Sequence, residues 1–470
     1  MEIIRYVFKT FLLCAQKILE LLSGKYTFPE FEEELHKLLT ELGKNVCGIV
    51  LKELDEKIYK DKKERKNWVV LQKDCERTIT TKFGDITYKR RYYENKETKE
   101  KAYLVDKAAV IQRYERIGIG LKAEIAELST IMSYGNAVEE IKRNAAECVN
   151  ISRQTVMNTI KGMEGIKPYE QIKEKRKAQV LYIEADEDHI HYQDGKNGIV
   201  KLVYVHEGKE SLGEGKNRLK NAKYFSGVYE GKEKEELWKA VCEYITSTYE
   251  ERYIKRIYIS GDGAEWIKFG AEYIPDAIYV LDLYHLQKYV TMAFKDEKKL
   301  KRALWKAIYK GDLEKVKEIF NDRYNSCKRE GEKEAVKRAL EYIENNWEGI
   351  LSYSRYKEEI VGCSAESHIS HVLSERLSRG PISWSKEGAH KMAQLRAVKA
   401  SGIELREKII KQRYEGLRPV ELPKEIIYKA KQRIKKLNER YGKVTELPIL
   451  LNKKTFTSMA IKSLLQQSII

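Results

Sequence analysis

Apolar residues return every third or fourth position early in the chain, as at Phe31, Leu35, Leu38, Leu39 and Leu42 with charges between them, and this spacing predicts helix. The helical reading covers residues 1 to about 75 and includes the charge-dense ELDEKIYKDKKERKN, a solvated helix end or connector. The rhythm then shortens. In RTITTKFGDITYKRRYYENK, β-branched and aromatic residues flank Gly84-Asp85, the pattern of a β-hairpin. Its second arm sets Lys89, Arg90 and Arg91 beside Tyr88, Tyr92 and Tyr93, a mixture that suits a phosphate backbone and equally a basic solvent face.

Residues 118–165 return to helical spacing. SYGNAVEEIKRNAAECVNISRQTVMNTIK divides into a helix from about Asn136, a turn near Val149-Asn150 and a second helix that Ser152 can cap through the Thr155 amide. Ala145, Ala146, Ile151, Val156 and Ile160 would pack such a pair as a helix-turn-helix. Arg153, Gln154, Thr155 and Asn158 would then face base edges.

From about residue 178 the pattern becomes α/β. AQVLYIEADEDHIHYQ and GIVKLVYVHEG read as strands and KNAKYFSGVYEG as a third; a helix follows at 232–250, then the short apolar runs IKRIYISGD and AIYVLDLYH. Three antiparallel strands followed by strands alternating with helices match an RNase H-like order. Residues 286 to about 358 are helical and highly charged, an all-α insertion. A helical segment runs from 364 to about 378, and Gly380-Pro381 breaks it. The stretch 401–443 has 13 Lys/Arg against 6 Glu and reads as basic helices.

The expected organisation is therefore mixed α/β. It comprises a helical region (1–75), a hairpin with helix-turn-helix (76–170), an RNase H-like core in two parts (178–285 and 361–400) split by an all-α insertion (286–360), and a basic helical C-terminal region (401–470).

Composition narrows the function. Lys and Arg number 89 against 72 Asp and Glu, a net charge of +17 that points to a polyanionic partner, nucleic acid first. Lys9 and Lys17 interrupt the most apolar stretch, YVFKTFLLCAQKILELL, so neither a membrane span nor a signal peptide is expected. The seven cysteines are scattered and never spaced as CxxC, which excludes an ordinary cysteine zinc site and fits a reducing cytoplasm.

Three acids stand where metal chemistry could use them. Asp186 follows the apolar run Val180, Leu181, Ile183 in the first α/β strand. Asp262 ends the strand IYISGD between Gly261 and Gly263, which allow close backbone approach. Glu366 lies two residues after Ser364, a possible cap of the helix SAESHISHVLSERL. Hard divalent cations bind such oxygen donors, and two of them can drive phosphodiester cleavage. Asp188 shares the strand face of Asp186, so either could be the first ligand, and the apolar run before Asp186 favours it. Glu375, nine residues past Glu366, should point away. His189 and His191 alternate onto the opposite face, while His368 and His371 could contact phosphate. No HExxH pattern or P-loop is found.

YIEADEDHIHYQ, GDGAEWI, LDLYHLQKY and CSAESHISHVLSERLSRGPISWS together resemble the DDE transposases of bacterial insertion sequences. More narrowly they resemble the ISLre-type family, once catalogued only as an uncharacterised protein family and related to Mutator-like transposases through the D-x-x-H element Asp282–His285. The resemblance covers nearly the whole chain. It implies that Asp186, Asp262 and Glu366, spaced by 76 and 104 residues, are a DDE triad binding two Mg²⁺ or Mn²⁺ ions, with Asp282, His285 and Asp188 in supporting or substrate-positioning roles. The implied activity cleaves phosphodiester bonds at insertion-sequence ends and transfers the 3′-hydroxyl to target DNA. The implied partners are double-stranded DNA, as terminal repeats and target, and further copies of the chain assembled on it in the cytoplasm. The alternatives are a non-catalytic DNA-binding descendant of a transposase and an RNase H-like nuclease without strand transfer.

Overall fold

The computed structural model describes residues 2–63, 65–213, 217–295, 297–415 and 432, in two compact units. One gathers the chain up to Ile125, Gly135–Arg153 and the segment from Ile409; the other comprises Ala126–Tyr134 and Gln154–Lys408. Among the described residues no helix is long and apolar enough to cross a membrane.

The first unit opens with helices α1 (Glu2–Leu22) and α2 (Phe28–Lys60). A capping box starts α2: the Thr27 amide donates to Glu30 at 2.7 Å, with Pro29 in the first turn. Cys47, Leu51, Leu54 and Ile58 recur at helical spacing and pack on Ile79, Ile86, Tyr88 and Val105. Those partners belong mainly to an antiparallel hairpin of β1 (Trp68–Thr81) and β2 (Gly84–Asn95), which β3 (Lys101–Ala102) extends. The first strand thus begins inside the stretch expected to be helical, where Trp68, Val69 and Val70 carry strong strand preference. Thr81 pairs with Gly84, so the turn is Lys82-Phe83 and not Gly84-Asp85. Glycine is required at 84 for a different reason: its φ is +105°, and a Cβ there would stand 2.5 Å from the Cys148 carbonyl oxygen.

Helix α3 (Leu104–Ala108) presents Asp106 to the hairpin, and α4 (Ile119–Ser129) and α5 (Tyr134–Asn144) follow. Asp106, 5% exposed, accepts from Arg77 at 2.7 Å, from the Tyr88 hydroxyl at 2.6 Å and from Arg90, whose guanidinium also lies on the Tyr103 ring. Arg91 pairs with Asp55 and Glu56 and lies over Tyr59. Arg90 and Arg91, offered by the sequence to a phosphate backbone, thus have partners inside the chain. Both guanidiniums are committed to carboxylates within the unit, while Lys89 beside them remains exposed.

The helices expected to make a helix-turn-helix both form, α5 and α6 (Arg153–Lys161), and the division between units falls between Arg153 and Gln154.

The second unit is built on a six-stranded sheet. Strands β4 (Val180–Tyr192), β5 (Asn197–His206) and β8 (Lys223–Gly227) pair antiparallel; a small hairpin of β6 (Lys209–Ser211) and β7 (Asn217–Leu219) interrupts them. Strands β9 (Arg256–Gly261) and β10 (Ala277–Leu281) run parallel on the other side of β4, giving the order β10-β9-β4-β5-β8. Parallel neighbours need crossovers, and α7 (Lys234–Thr248) and α8 (Glu265–Tyr273) supply them. Alternation along β4 sends Leu181, Ile183 and Ala185 into an apolar core with Val203, Ile259, Trp238 and Ile267. Tyr182, Glu184, Asp186 and Asp188 therefore take the opposite face.

After β10 come five helices, α9 (Leu283–Phe294), α10 (Lys298–Lys310), α11 (Leu313–Ser326), α12 (Glu330–Asn345) and α13 (Trp347–Arg355). They share their own core, which includes Leu286, Phe294, Leu304, Phe320 and Ile343, as expected of an all-α insertion. Helix α14 (Ala365–His368) passes through a π-helical turn, Ile369–Ser374, into α15 (Glu375–Leu377). Strand β11 (Ser383–Trp384) joins the end of β4, and α16 (Lys386–Ala400) and α17 (Leu405–Tyr414) follow. Of the expected basic C-terminal region, residues 416–431 and 433–470 lie outside the described residues.

Replacing Asp106 with Ala leaves Arg90 without its carboxylate and Arg77 with only its two backbone carbonyls, and is expected to destabilise the hairpin unit by about 3 kcal/mol. Tyr88→Phe removes one hydrogen bond and should cost about 1 kcal/mol. Denaturant midpoints of the transition that reports the hairpin check both.

Candidate active site

Strand register brings three carboxylates together. β4 and β9 pair up to Glu184↔Ser260, and two residues further along the two strands stand Asp186 and Asp262. β9 and β10 pair up to Gly261↔Leu281, and the next residues are Asp262 and Asp282. A Cβ at Gly261 would lie 2.9 Å from the Ala185 carbonyl oxygen, so the close approach expected of this glycine is real.

The loop after β9 is held from two directions. Its own Asp262 Oδ1 accepts from the Ala264 amide at 2.9 Å. From α12, the Tyr342 hydroxyl donates to the Asp262 carbonyl at 2.5 Å, and Asn346 packs so closely that a Cβ on Gly263 (φ +101°) would stand 2.5 Å from its Oδ1. Asp282 caps α9, accepting from the Tyr284 amide at 3.0 Å, and its other oxygen meets His285 Nδ1 at 3.2 Å. The Tyr353 hydroxyl of α13 fixes the Leu281 carbonyl at 2.9 Å. The all-α insertion thus grips the strand ends that carry Asp262 and Asp282.

Electrostatics join Glu366, which is exposed on α14, to the same place. Burial lifts the Asp186 carboxyl to about 7; the Glu187 amide opposes this, the charges of Asp262 and Glu366 add to it, and His285 counters it. Among the described residues the only hydrogen bond to Asp186 is that amide, at 2.8 Å. His285 is pushed upward, chiefly by its hydrogen bond to Asp282, against burial and with help from the charges of Asp282, Asp186 and Asp262. Among the described residues no group of three His, Cys, Asp or Glu side chains is arranged around an ion position.

The neighbouring candidates separate cleanly. Asp188 is tied to the Ser378 hydroxyl at 2.9 Å, and burial raises its carboxyl. Glu375 pairs with His371 and Arg396 on the exposed side. His189 and His191 are exposed. His368 is half-buried against Tyr204 and Tyr224 and hydrogen-bonds the Ser364 carbonyl. Arg153, Gln154 and Asn158 are exposed on α6 and Thr155 is half-buried; Gln154 Nε2 donates to Asn158 Oδ1 at 2.9 Å.

Sequence reasoning missed Glu184. This residue is 1% exposed and receives Tyr204 Oη at 2.5 Å, His206 Nε2 at 3.0 Å and both the amide (2.5 Å) and hydroxyl (3.0 Å) of Ser364. Burial pushes its carboxyl up, but the hydrogen bonds from His206, Tyr204 and Ser364 outweigh burial and hold it at about 2. Ser364 does occupy the cap position of α14, yet its side chain makes no cap bond there; the hydroxyl is given to Glu184. The available signal was an acid inside the apolar run VLYIEA, which burial obliges to find partners.

Removing the Asp262 charge should let Asp186 ionise more easily. In metal-free Asp262→Asn protein the Asp186 midpoint is expected to fall below that of wild type, read by carboxyl-carbon NMR across pH. An unmoved midpoint would mean that the two carboxyls do not sense each other.

Comparison with known proteins agrees with a single family over most of the chain. The sequence profile described as "Uncharacterised protein family (UPF0236)" matches residues 21–414. A UPF0236 protein of Caldanaerobacter subterraneus subsp. tengcongensis is 42% identical over 435 residues, spanning 92% of this chain and 90% of its own, and its printed name joins eleven designations to one protein. A second UPF0236 protein of that organism, with four designations, is 41% identical over the same share of this chain and 90% of its own. A UPF0236 protein of Streptococcus gallolyticus, described as lying in the vanSb 3′ region, is 25% identical over 392 residues, 80% of this chain and 83% of its own. With a match of this extent, the chain belongs to the uncharacterised protein family UPF0236.

Proposed function

We propose that this protein is a metal-dependent DNA transposase of the DDE type, with an RNase H-like core. The observation that carries the reading is the strand register that sets Asp262 beside buried Asp186 although the chain separates them widely, with Glu366 adding its charge at the same carboxyl. The sheet supports it: β4 is central, with antiparallel strands on one side and parallel strands on the other. The acids lie on its first strand, after its fourth, and on a helix following the insertion.

The donor set is chemically suited to a hard cation: carboxylate oxygens, one of them on a carboxyl that burial, chiefly, raises to about 7. Bound by Asp186, Asp262 and Glu366, Mg²⁺ or Mn²⁺ would supply activation of the attacking oxygen and charge stabilisation at the leaving one. The chain's own residues do the rest. Asp282 orients His285 and, through that hydrogen bond, raises its affinity for a proton. The reaction we infer is hydrolysis at the element's ends, followed by attack of the freed 3′-hydroxyl on target DNA. Joining two ends to a target calls for several copies of the chain on DNA. Eleven designations for one relative also suit a sequence present in many copies, as a transposing element would be.

With Arg90 and Arg91 occupied, the strongest free basic surface in the second unit is α10. Its thirteen residues carry six cationic side chains and no carboxylate. Lys298, Lys299, Arg302, Lys306 and Lys310 are exposed and make no ion pair among the described residues. The neighbouring helices pair theirs, as in Lys315–Glu318 and Arg338–Glu334. An unneutralised helix of this kind fits a phosphate backbone.

Two measurements test the reading. Wild-type protein should cleave and join DNA carrying the element's ends with Mg²⁺ or Mn²⁺, and Asp186→Asn, Asp262→Asn or Glu366→Gln should each lower cleavage by about two orders of magnitude or more while DNA binding persists. Binding without cleavage by wild type favours a regulator, and nicking without joining a nuclease. Reversing Lys299, Arg302 and Lys306 to Glu should flatten the dependence of log affinity on log salt, by about 0.9 for each phosphate that the helix no longer neutralises. An unchanged slope would remove α10 from the DNA surface.

A further inference from the structure

We infer that Glu184 is a positioning residue for Glu366: it straps the segment carrying the third acid to the strand carrying the first. The inference rests on the reading of Asp186, Asp262 and Glu366 as the metal-binding trio.

The two ends of the strap are placed alike. Glu184 lies two residues before Asp186 on the same face of β4, and Ser364 lies two residues before Glu366. Between them Glu184 Oε2 takes the Ser364 amide at 2.5 Å and its hydroxyl at 3.0 Å. Tyr204, paired with Glu184 across β4 and β5, donates to the same oxygen, and fully buried His206 holds the other. The segment 362–368 has no strand pairing of its own. Besides this strap, Lys209 donates to the Gly362 carbonyl, Ala365 is buried, and His368 packs against Tyr204 and Tyr224.

A carboxylate so completely enclosed is a costly way to join a loop to a sheet, since apolar side chains of similar size often serve stability as well. Its return is directional. Four donors converging on two oxygens set both the distance and the rotation of the segment, which packing alone would leave loose. Directly beyond α14 the chain continues as a π-helical turn, Ile369–Ser374.

The test uses metal-depleted full-length protein with Mn²⁺ as the probe, measured by calorimetry, and hydrogen exchange of the 362–368 peptide. Glu184→Gln should weaken Mn²⁺ binding about tenfold, within the range for residues that orient a ligand, and strip protection from 362–368 while β5 and β8 stay protected. Glu366→Gln should weaken Mn²⁺ binding directly, and the double variant should bind no more weakly than Glu366→Gln alone, because Glu184 acts through Glu366. Additive losses, or unchanged exchange at 362–368, overturn the proposal and leave the trio standing. Unchanged Mn²⁺ affinity in Glu366→Gln overturns the trio and the strap's role together. Should Glu184→Gln fail to fold, Ser364→Ala, which leaves β4 and β5 intact, carries the same cycle with a smaller shift in the same direction.

Discussion

Strand β4 must bury one face in apolar core and carry Glu184, Asp186 and Asp188 in succession on the other, all below 10% exposure. Three like charges withdrawn from water along one strand face are unfavourable unless each is answered. Glu184 is answered by four donors and Asp188 by the Ser378 hydroxyl. Asp186 has one backbone amide. The middle acid is left short of positive charge, and the elements around it supply more acid: Asp262 from β9 and Glu366 from α14. That gathering of acids, only partly offset by His285, is what the proposed cation site rests on.

That constraint gives the all-α insertion its place. Its helices share a core of their own, and they also reach back through Tyr342, Asn346 and Tyr353 to the ends of β9 and β10. The long chain distance between the second and third acids is therefore occupied by a body that fixes the strand ends bearing Asp262 and Asp282. On the other flank, Glu184 and Ser364 hold the segment bearing Glu366.

The cations divide on the same logic. Arg77, Arg90 and Arg91 neutralise buried carboxylates in the first unit and are fixed by them. On α10 the lysines and arginine have no such partner among the described residues. A positive charge informs about a partner molecule only after its internal partners have been counted. Adjacent Arg90 and Arg91 look the same in sequence as the free cations of α10.

The order of strands and helices was legible because it rests on local periodicity: alternation in VLYIEADEDHIHY, helical spacing along α2, and glycine-flanked Asp262 at a strand end. Other features lay outside the sequence's reach. The turn is Lys82-Phe83 and not Gly84-Asp85, and the need for glycine at 84 comes from Cys148, far along the chain. Ser364 looked like a helix cap, and its hydroxyl instead serves an acid 180 residues earlier. His368 turned inward onto Tyr204 for the same reason. Residues in sequence determine which hydrogen-bonding groups must be satisfied when buried; only the tertiary structure decides by whom, because the partners meet through strand register and packing between segments that no local pattern connects.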